Sequence, residues 1–321
     1  MKFRLASLVA FGACILAGCS GLSVDTADSP RGDAIMFSAG DGLETKAGAE
    51  TAIPSSGFRV SCEKNDGTAF FDNYTASLSS GVYGLSTTRY FPGDKTLDFY
   101  AASPVSGTTW STSAKSFSWT LGSSCSDDLV VATTRGASSS PVGLQFKHLL
   151  TRINSVTFVF PEGFADWVVS DLSPVYDMYF ALGVNCRQSL TYTYKTTSTT
   201  ESVVYSGTDA WHYFEEQYEY DEADGMFQYL WAFNDEWPLD TQSFYVIPAS
   251  ASGGTGVIYI YPQVCIENDE YCWDMADDFE IEVAPGESYD IIVEVNVLGN
   301  MVVRAEVSSW SSTSYTYTET I

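Results

Sequence analysis

From Tyr289 to Val297 the chain sets an apolar side chain at every second position, with Asp290, Glu294 and Asn296 among the residues between. After Leu298-Gly299-Asn300 the rhythm resumes: Met301, Val303, Ala305 and Val307 alternate against Arg304 and Glu306. A period of two belongs to a strand, because successive side chains of a strand point to opposite faces. The two runs joined by that turn predict a hairpin with one face buried and the other wet.

Similar signals recur along the chain. Ala34 to Ala39 is a short alternating run with Ile35 and Phe37 on one face. Phe58 to Cys62 reads as a strand, and Asn65-Asp66-Gly67-Thr68 turns the chain. Phe91-Pro92-Gly93-Asp94 places Pro and Gly where a type II turn requires them. Further strands are expected over Leu97–Ala101, Leu129–Ala132, Leu144–Phe160, Ser189–Thr197, Phe244–Pro248 and Gly256–Ile266. Turn chemistry at this short spacing is the rhythm of a β-sandwich and not of βαβ units. Few helices are expected. The acidic, aromatic stretch from Trp211 to Trp237 is open between a short helix and a long decorated loop. Pro161 to Ser170 marks the junction of two halves, giving expected units at 34–165 and 166–321.

The amino terminus is a targeting segment, residues 1–18. Lys2 and Arg4 form a positive start, and Leu5 to Leu16 form an apolar core too short to span a bilayer. It closes on Leu16-Ala17-Gly18-Cys19, similar to a bacterial lipobox, in which the cysteine is acylated and begins the mature chain. Residues 19–33 are expected to be a linker. Losing Lys2 and Arg4 leaves 13 basic against 41 acidic residues, a formal charge of −28. Nucleic acid and anionic membrane surfaces are therefore poor partners. Hydrophobic residues at 45% are ample for a packed core and far from a disordered composition.

Beyond Cys14 and Cys19, the cysteines are Cys62, Cys125, Cys186, Cys265 and Cys272. Their number is odd, so at least one is unpaired within the chain. Cys265 and Cys272 are close enough for a disulfide in an oxidising compartment; buried thiols are the equal alternative. No Cys-x-x-Cys, His-Glu-x-x-His, nucleophile elbow, phosphate loop or dinucleotide fingerprint is present, so no catalytic residue, metal site or cofactor is expected. Paired glycosidase carboxylates leave no spacing to search for and stay a lesser reading. The clusters at Asp221, Glu222 and Asp224 and at Asp269, Glu270, Asp274, Asp277 and Asp278 lack the spacing of a calcium loop, and read as solvated loops. Arg31-Gly32-Asp33 and the glycosylation-like Asp25-Thr26-Ala27 are too short to carry weight. Trp211, Tyr213, Phe214 and the aromatics after them fit core packing, with sugar stacking by a surface adhesin as the alternative.

Several segments in order resemble the fimbrillin family, the lipoprotein-derived type V pilins of Bacteroidales. They are the lipobox, Met36-Phe37-Ser38-Ala39, Thr45-Lys46-Ala47, and Tyr90-Phe91-Pro92-Gly93 followed by Leu97-Asp98-Phe99-Tyr100-Ala101. Asp128-Leu129-Val130-Val131-Ala132, then Leu144, Phe146, His148-Leu149-Leu150 and Ile153, resembles that family's most recognisable block. Ile247-Pro248, Pro285-Gly286 with Tyr289, and Val307 with Trp310 are similar to its carboxy-terminal part.

The resemblance implies an all-β fold of two transthyretin-like β-sandwich domains in tandem. It implies a structural pilus subunit and no enzyme, placed at the outer membrane and cell surface and anchored there by lipid on Cys19. A trypsin-like protease would cut after a basic residue, for which Lys46 before Ala47 is the candidate; a solvated lysine that nothing cleaves is the equal reading. The cut would free the strand bearing Ile35 and Phe37, and a strand from a neighbouring fimbrillin subunit would replace it. Ser314 to Ile321 could donate such a strand, although Glu319 falls on its apolar side. An uncleaved, lipidated anchor and a surface glycan-binding lipoprotein with a host or glycan ligand are the alternatives.

Overall fold

The computed structural model describes residues 30–40, 57–93, 95–111, 115–163, 177–219, 236–238, 243–248, 250–252, 255–266, 271–274, 278–295 and 301–308. Within them every regular element is a strand, as expected for an all-β chain. The first are β1 (Pro30–Ala34), β2 (Met36–Gly40), β3 (Phe58–Lys64), β4 (Ala69–Ser79), β5 (Val82–Leu85), β6 (Tyr90–Pro92) and β7 (Leu97–Ser103). Next come β8 (Thr108–Ser111), β9 (Ser116–Thr120), β10 (Val130–Ala137), β11 (Val142–His148) and β12 (Thr151–Val159). The chain continues through β13 (Asp177–Thr193), β14 (Ser202–Glu219), β15 (Glu236–Pro238), β16 (Phe244–Val246) and β17 (Ser250–Ser252). It ends in β18 (Thr255–Ile266), β19 (Tyr271–Asp274), β20 (Phe279–Val283), β21 (Ser288–Val295) and β22 (Met301–Ser308).

Seven strands close into a barrel in the order β2-β5-β4-β3-β7-β10-β11, with β11 returning to β2. Separate sheets are the expectation for a sandwich; here the hydrogen bonding runs all the way round. Every contact in the ring is antiparallel except β11 with β2. β1 pairs with β6 beside the barrel, so residues 30–34, expected as the end of a linker, are strand. The barrel interior is filled by Phe37, Phe58, Val60, Phe99, Leu144 and Phe146.

The second body is two sheets face to face. One places β12 beside β21 in parallel, β22 beyond β21, and β15 and β16 along the other edge of β12. The expected hairpin of Tyr289 to Val307 is present as β21 and β22, paired from Ser288↔Ser308 to Val295↔Met301. The other sheet is centred on β13, with β14 along one edge and β18 and β9 sharing the second. Ile153, Phe158, Phe180, Leu182, Ile260 and Ile291 pack between the sheets. The stretch starting at Trp211, expected as a helix or loop, is strand at both ends: β14 carries it to Glu219, and Glu236–Pro238 is β15. β14 keeps its long register across one irregularity, where Gly207 and Thr208 lie opposite Gln188 alone. Gly207 has φ +84, and a Cβ there would meet Ser189 Oγ at 2.7 Å, so the bulge needs glycine.

Strands β7 and β10 serve both cores. Leu97, Phe99 and Ala101 face the barrel interior, while Tyr100 and Ala102 face the second core. Val130 and Ala132 divide from Val131 in the same way. A strand covered on both faces loses its polar alternation. That accounts for the nearly continuous apolar run of Leu97-Asp98-Phe99-Tyr100-Ala101-Ala102. The seam is tied by Tyr194, whose hydroxyl donates to the Ala101 carbonyl at 2.7 Å. Glu63, buried beside it, pairs with Lys115 and accepts from the Tyr100 hydroxyl at 3.3 Å. Phe117, Trp119, Leu121, Cys125 and Leu129 already belong to the second core, and from Leu149 onward every core residue does, upstream of the junction expected near Pro161. Leu149, Leu150 and β12 belong to the second core because β12 pairs with β16, β15 and β21.

Candidate functional site

The site is the slot that β2 occupies. On one side Phe37 and Ser38 stand in parallel register with Val142 and Gly143 of β11. On the other, Met36 and Phe37 stand opposite Gly84 and Tyr83 of β5. The Ile35 N–H donates to the Arg89 carbonyl at 2.8 Å, and the Met36 N–H to Ser140 Oγ at 3.1 Å. This ladder is short: two register pairs toward β5 and four toward β11. Side chains add more. Phe37 is 0% exposed and meets Phe58 and Phe99 edge-on, with ring centroids 5.5 and 5.3 Å apart. Ile35 is 2% exposed, and Met36 between them faces out at 37%.

The expected alternation of Ile35 and Phe37 against Met36 is therefore what seats the strand. Without β2 the ring has two free edges, β11 and β5, flanking an apolar slot that Phe58, Tyr83, Phe99 and Phe146 line. Tyr83 is the titratable side chain among them, and burial pushes its phenol up, so it stays neutral. Such a slot binds an apolar strand and offers no group for general acid or base work. β1 continues the segment: Gly32 lies so close to Phe91 that a Cβ would meet its backbone oxygen at 2.8 Å. Arg31-Gly32-Asp33 is thereby part of a paired strand.

The other sequence-derived positions fall elsewhere. Cys19, Lys46 and Ala47 lie outside the described residues, as do the signal segment, Asp25-Thr26-Ala27, the cluster from Asp221 and the run Ser314 to Ile321. Cys62, Cys125 and Cys186 are buried free thiols. Cys265 is disulfide-bonded, and the residue directly across from it in the β18–β19 register is Cys272. Both histidines are held by neighbours. His148 Nδ1 lies 2.5 Å from Asp128 Oδ2, and His212 donates from Nδ1 to the Ser123 carbonyl at 3.3 Å while Nε2 accepts from the Gln188 amide at 2.9 Å. Among the described residues no three His, Cys, Asp or Glu side chains gather as a metal site would need.

A barrel closed by β2 and joined through shared walls to a sandwich defines a two-body all-β protein. A family profile for fimbrillin-like proteins matches residues 45–310, and the chain belongs to that family. Membership places it among structural pilus proteins, outside the enzymes. A fimbrial protein from Bacteroides vulgatus is similar in structure, with a TM-score of 0.52 at 14% identity, over 87% of this chain and 99% of that one. A candidate cell adhesion protein from Bacteroides ovatus has a TM-score of 0.50 at 13% identity, over 89% and 99%. At such identity these likenesses concern the fold. No curated protein matches the chain in sequence.

Proposed function

We propose that this chain is a type V fimbrial subunit, exported as a lipoprotein acylated on Cys19, and that it polymerises by exchanging β2 for a strand of a neighbouring subunit. The observation that carries the reading is the position of β2: it is the earliest of the barrel strands in the chain, it bridges β11 and β5 to complete the ring, and it is seated by buried Ile35 and Phe37 on a short ladder. Burial of Ile35 and Phe37 is worth roughly 1.5–3 kcal/mol each. Whole domains have only about 5–15 kcal/mol of stability. A barrel stripped of this strand is therefore strongly driven to take another, which would form main-chain bonds with β11 and β5 and fill the same slot. Head-to-tail donation does not close on itself, so it builds a filament.

Cleavage between Lys46 and Ala47 by a trypsin-like protease fits this scheme, because it falls after β2 and releases β1 and β2 together with the lipid. The units at 34–165 and 166–321 are, in this reading, the two bodies that repeat along the fibre, with β8, β9 and Leu149 to Val159 of the first range contributed to the second body. The subunit works with other pilus subunits at the cell surface, in support of adhesion. Mass spectrometry of the protein recovered from surface fibres tests the scheme. A mature terminus at Ala47 is expected. Fibres whose subunits retain acylated Cys19 through Lys46 would overturn it and assign an uncleaved anchor.

A further inference from the structure

We propose that the outer face of the β13 sheet is a platform for an uncharged carbohydrate, built from Trp211, Tyr213, Tyr259 and Tyr261. The inference does not depend on strand exchange. β13 sends Leu182 and Val184 into the core, so Gly183 and Asn185 take the opposite face. On that face Gly183 stands between Tyr213 of β14 and Tyr261 of β18, and Asn185 stands between Trp211 and Tyr259. Four aromatic side chains thus fill two adjacent rows three strands wide. Tyr213 is 58% exposed, and the other three are half-buried. The Trp211 and Tyr213 rings lie 23° from parallel with centroids 6.2 Å apart, and Trp211 meets Tyr261 at 79° and 6.4 Å. Gly183 makes the room: a Cβ there would come within 3.0 Å of Tyr213 Cε1 and 3.1 Å of Trp211 Cε3.

A pyranose has a patch of C–H bonds on its face and hydroxyls around its edge. The patch packs on an aromatic ring, and the hydroxyls require acceptors, which is the usual composition of a small-ligand site. Acceptors stand at both ends of the platform. Exposed Glu215 and half-buried Gln263 flank Ala181 in the next row, and exposed Glu280 lies beside Tyr259. Between the rings, Asn185 Oδ1 is enclosed with no hydrogen-bond partner. The same carboxylates select against acidic sugars: a chain of net charge −26 repels sialylated or sulfated ligands, so the ligand is neutral.

The test is a glycan array probed with the full-length chain carrying Cys19→Ser, followed by titration of tryptophan fluorescence with the best neutral oligosaccharide. The array carries gluco-, galacto-, manno- and N-acetylhexosamine oligosaccharides, their sialylated and sulfated counterparts, and proline-rich peptides. Binding of neutral glycans is expected, weakened by about tenfold or more in Trp211→Ala and in Tyr213→Ala. Gly183→Ala should also weaken it by displacing both rings, and Val204→Ser, an exposed position on the same strand, should leave it unchanged. Tyr213→Ala alters an exposed ring, so it keeps the test informative if Trp211→Ala fails to fold. No binding of neutral glycans, binding undiminished in the folded variants, or binding confined to acidic glycans or peptides would overturn the proposal.

Discussion

Phe37 carries more of the proposed chemistry than any other side chain, because the same ring seats β2 and defines what a replacement strand must supply. Its truncation in Phe37→Ala leaves a void against Phe58 and Phe99, and a loss of about 3–5 kcal/mol is expected by urea unfolding. Gly57 is a second sensitive position for a different reason. Its φ is +81, and a Cβ would sit 1.9 Å from the Ala76 carbonyl oxygen, so Gly57→Ala forces β3 away from β4. A cost above about 2 kcal/mol by the same assay is expected. The thiols of Cys125 and Cys186 are pushed up to about 12 from an ordinary 9.0, chiefly by burial. Above pH 9 the unfolded chain sheds these protons and the folded chain keeps them, so the unfolded state binds fewer protons and stability falls. Their contribution is complete below pH 9 and is lost as pH rises toward about 12. Thermal midpoints should be level from pH 7 to 8.5 and decline beyond 9, and Ellman's reagent at pH 8 should leave both thiols unreacted until denaturant is added.

Among the elements, β21 and β22 are legible because each alternates cleanly and the turn-forming pair Gly299-Asn300 falls between them in the sequence. β2 was legible for the same reason, from Ile35 and Phe37 alone. What alternation does not encode is the partner. Phe117 and Trp119 alternate with Ser118 and Thr120, which marks a strand, yet nothing local says that β9 joins β13 of the second body. Likewise β12 directly follows β11 in sequence but pairs with β21, since register is decided by contacts far along the chain. The aromatic density after Trp211 hid β14, because Trp211 and Tyr213 lie on its outer face while Phe214 stacks inward on Phe244 at 3.7 Å. Closure of the barrel was hidden for a related reason: it depends on one parallel pairing, β2 with β11, between segments about a hundred residues apart. At this scale limited trypsin treatment at Lys46 is expected to leave β1 and β2 bound by non-covalent contacts alone, their strand pairing and the buried side chains of Ile35 and Phe37. The freed peptide should co-purify in native buffer and dissociate at a urea concentration below the unfolding midpoint of the remainder, as size-exclusion chromatography would reveal. A peptide lost at once in native buffer would show that β2 is not seated as described.

The whole molecule carries a formal charge of −26. Subunits of like charge repel before any strand is exchanged, and salt shortens the reach of that repulsion from about 30 Å at 0.01 M to about 8 Å at 0.15 M. Light scattering should accordingly show faster assembly of the cut chain as ionic strength rises over that range. The central claim is that β2 must leave its slot for assembly to occur, and a disulfide clamp tests it directly. Met36 faces out opposite Gly84 of β5, and a Cβ at Gly84 meets nothing within 4 Å, so Met36→Cys with Gly84→Cys can bridge the two strands without entering the core. Electron microscopy of the cut, clamped protein should find monomers under oxidising conditions and fibres after reduction. Fibres formed equally well with the bridge intact would contradict the account.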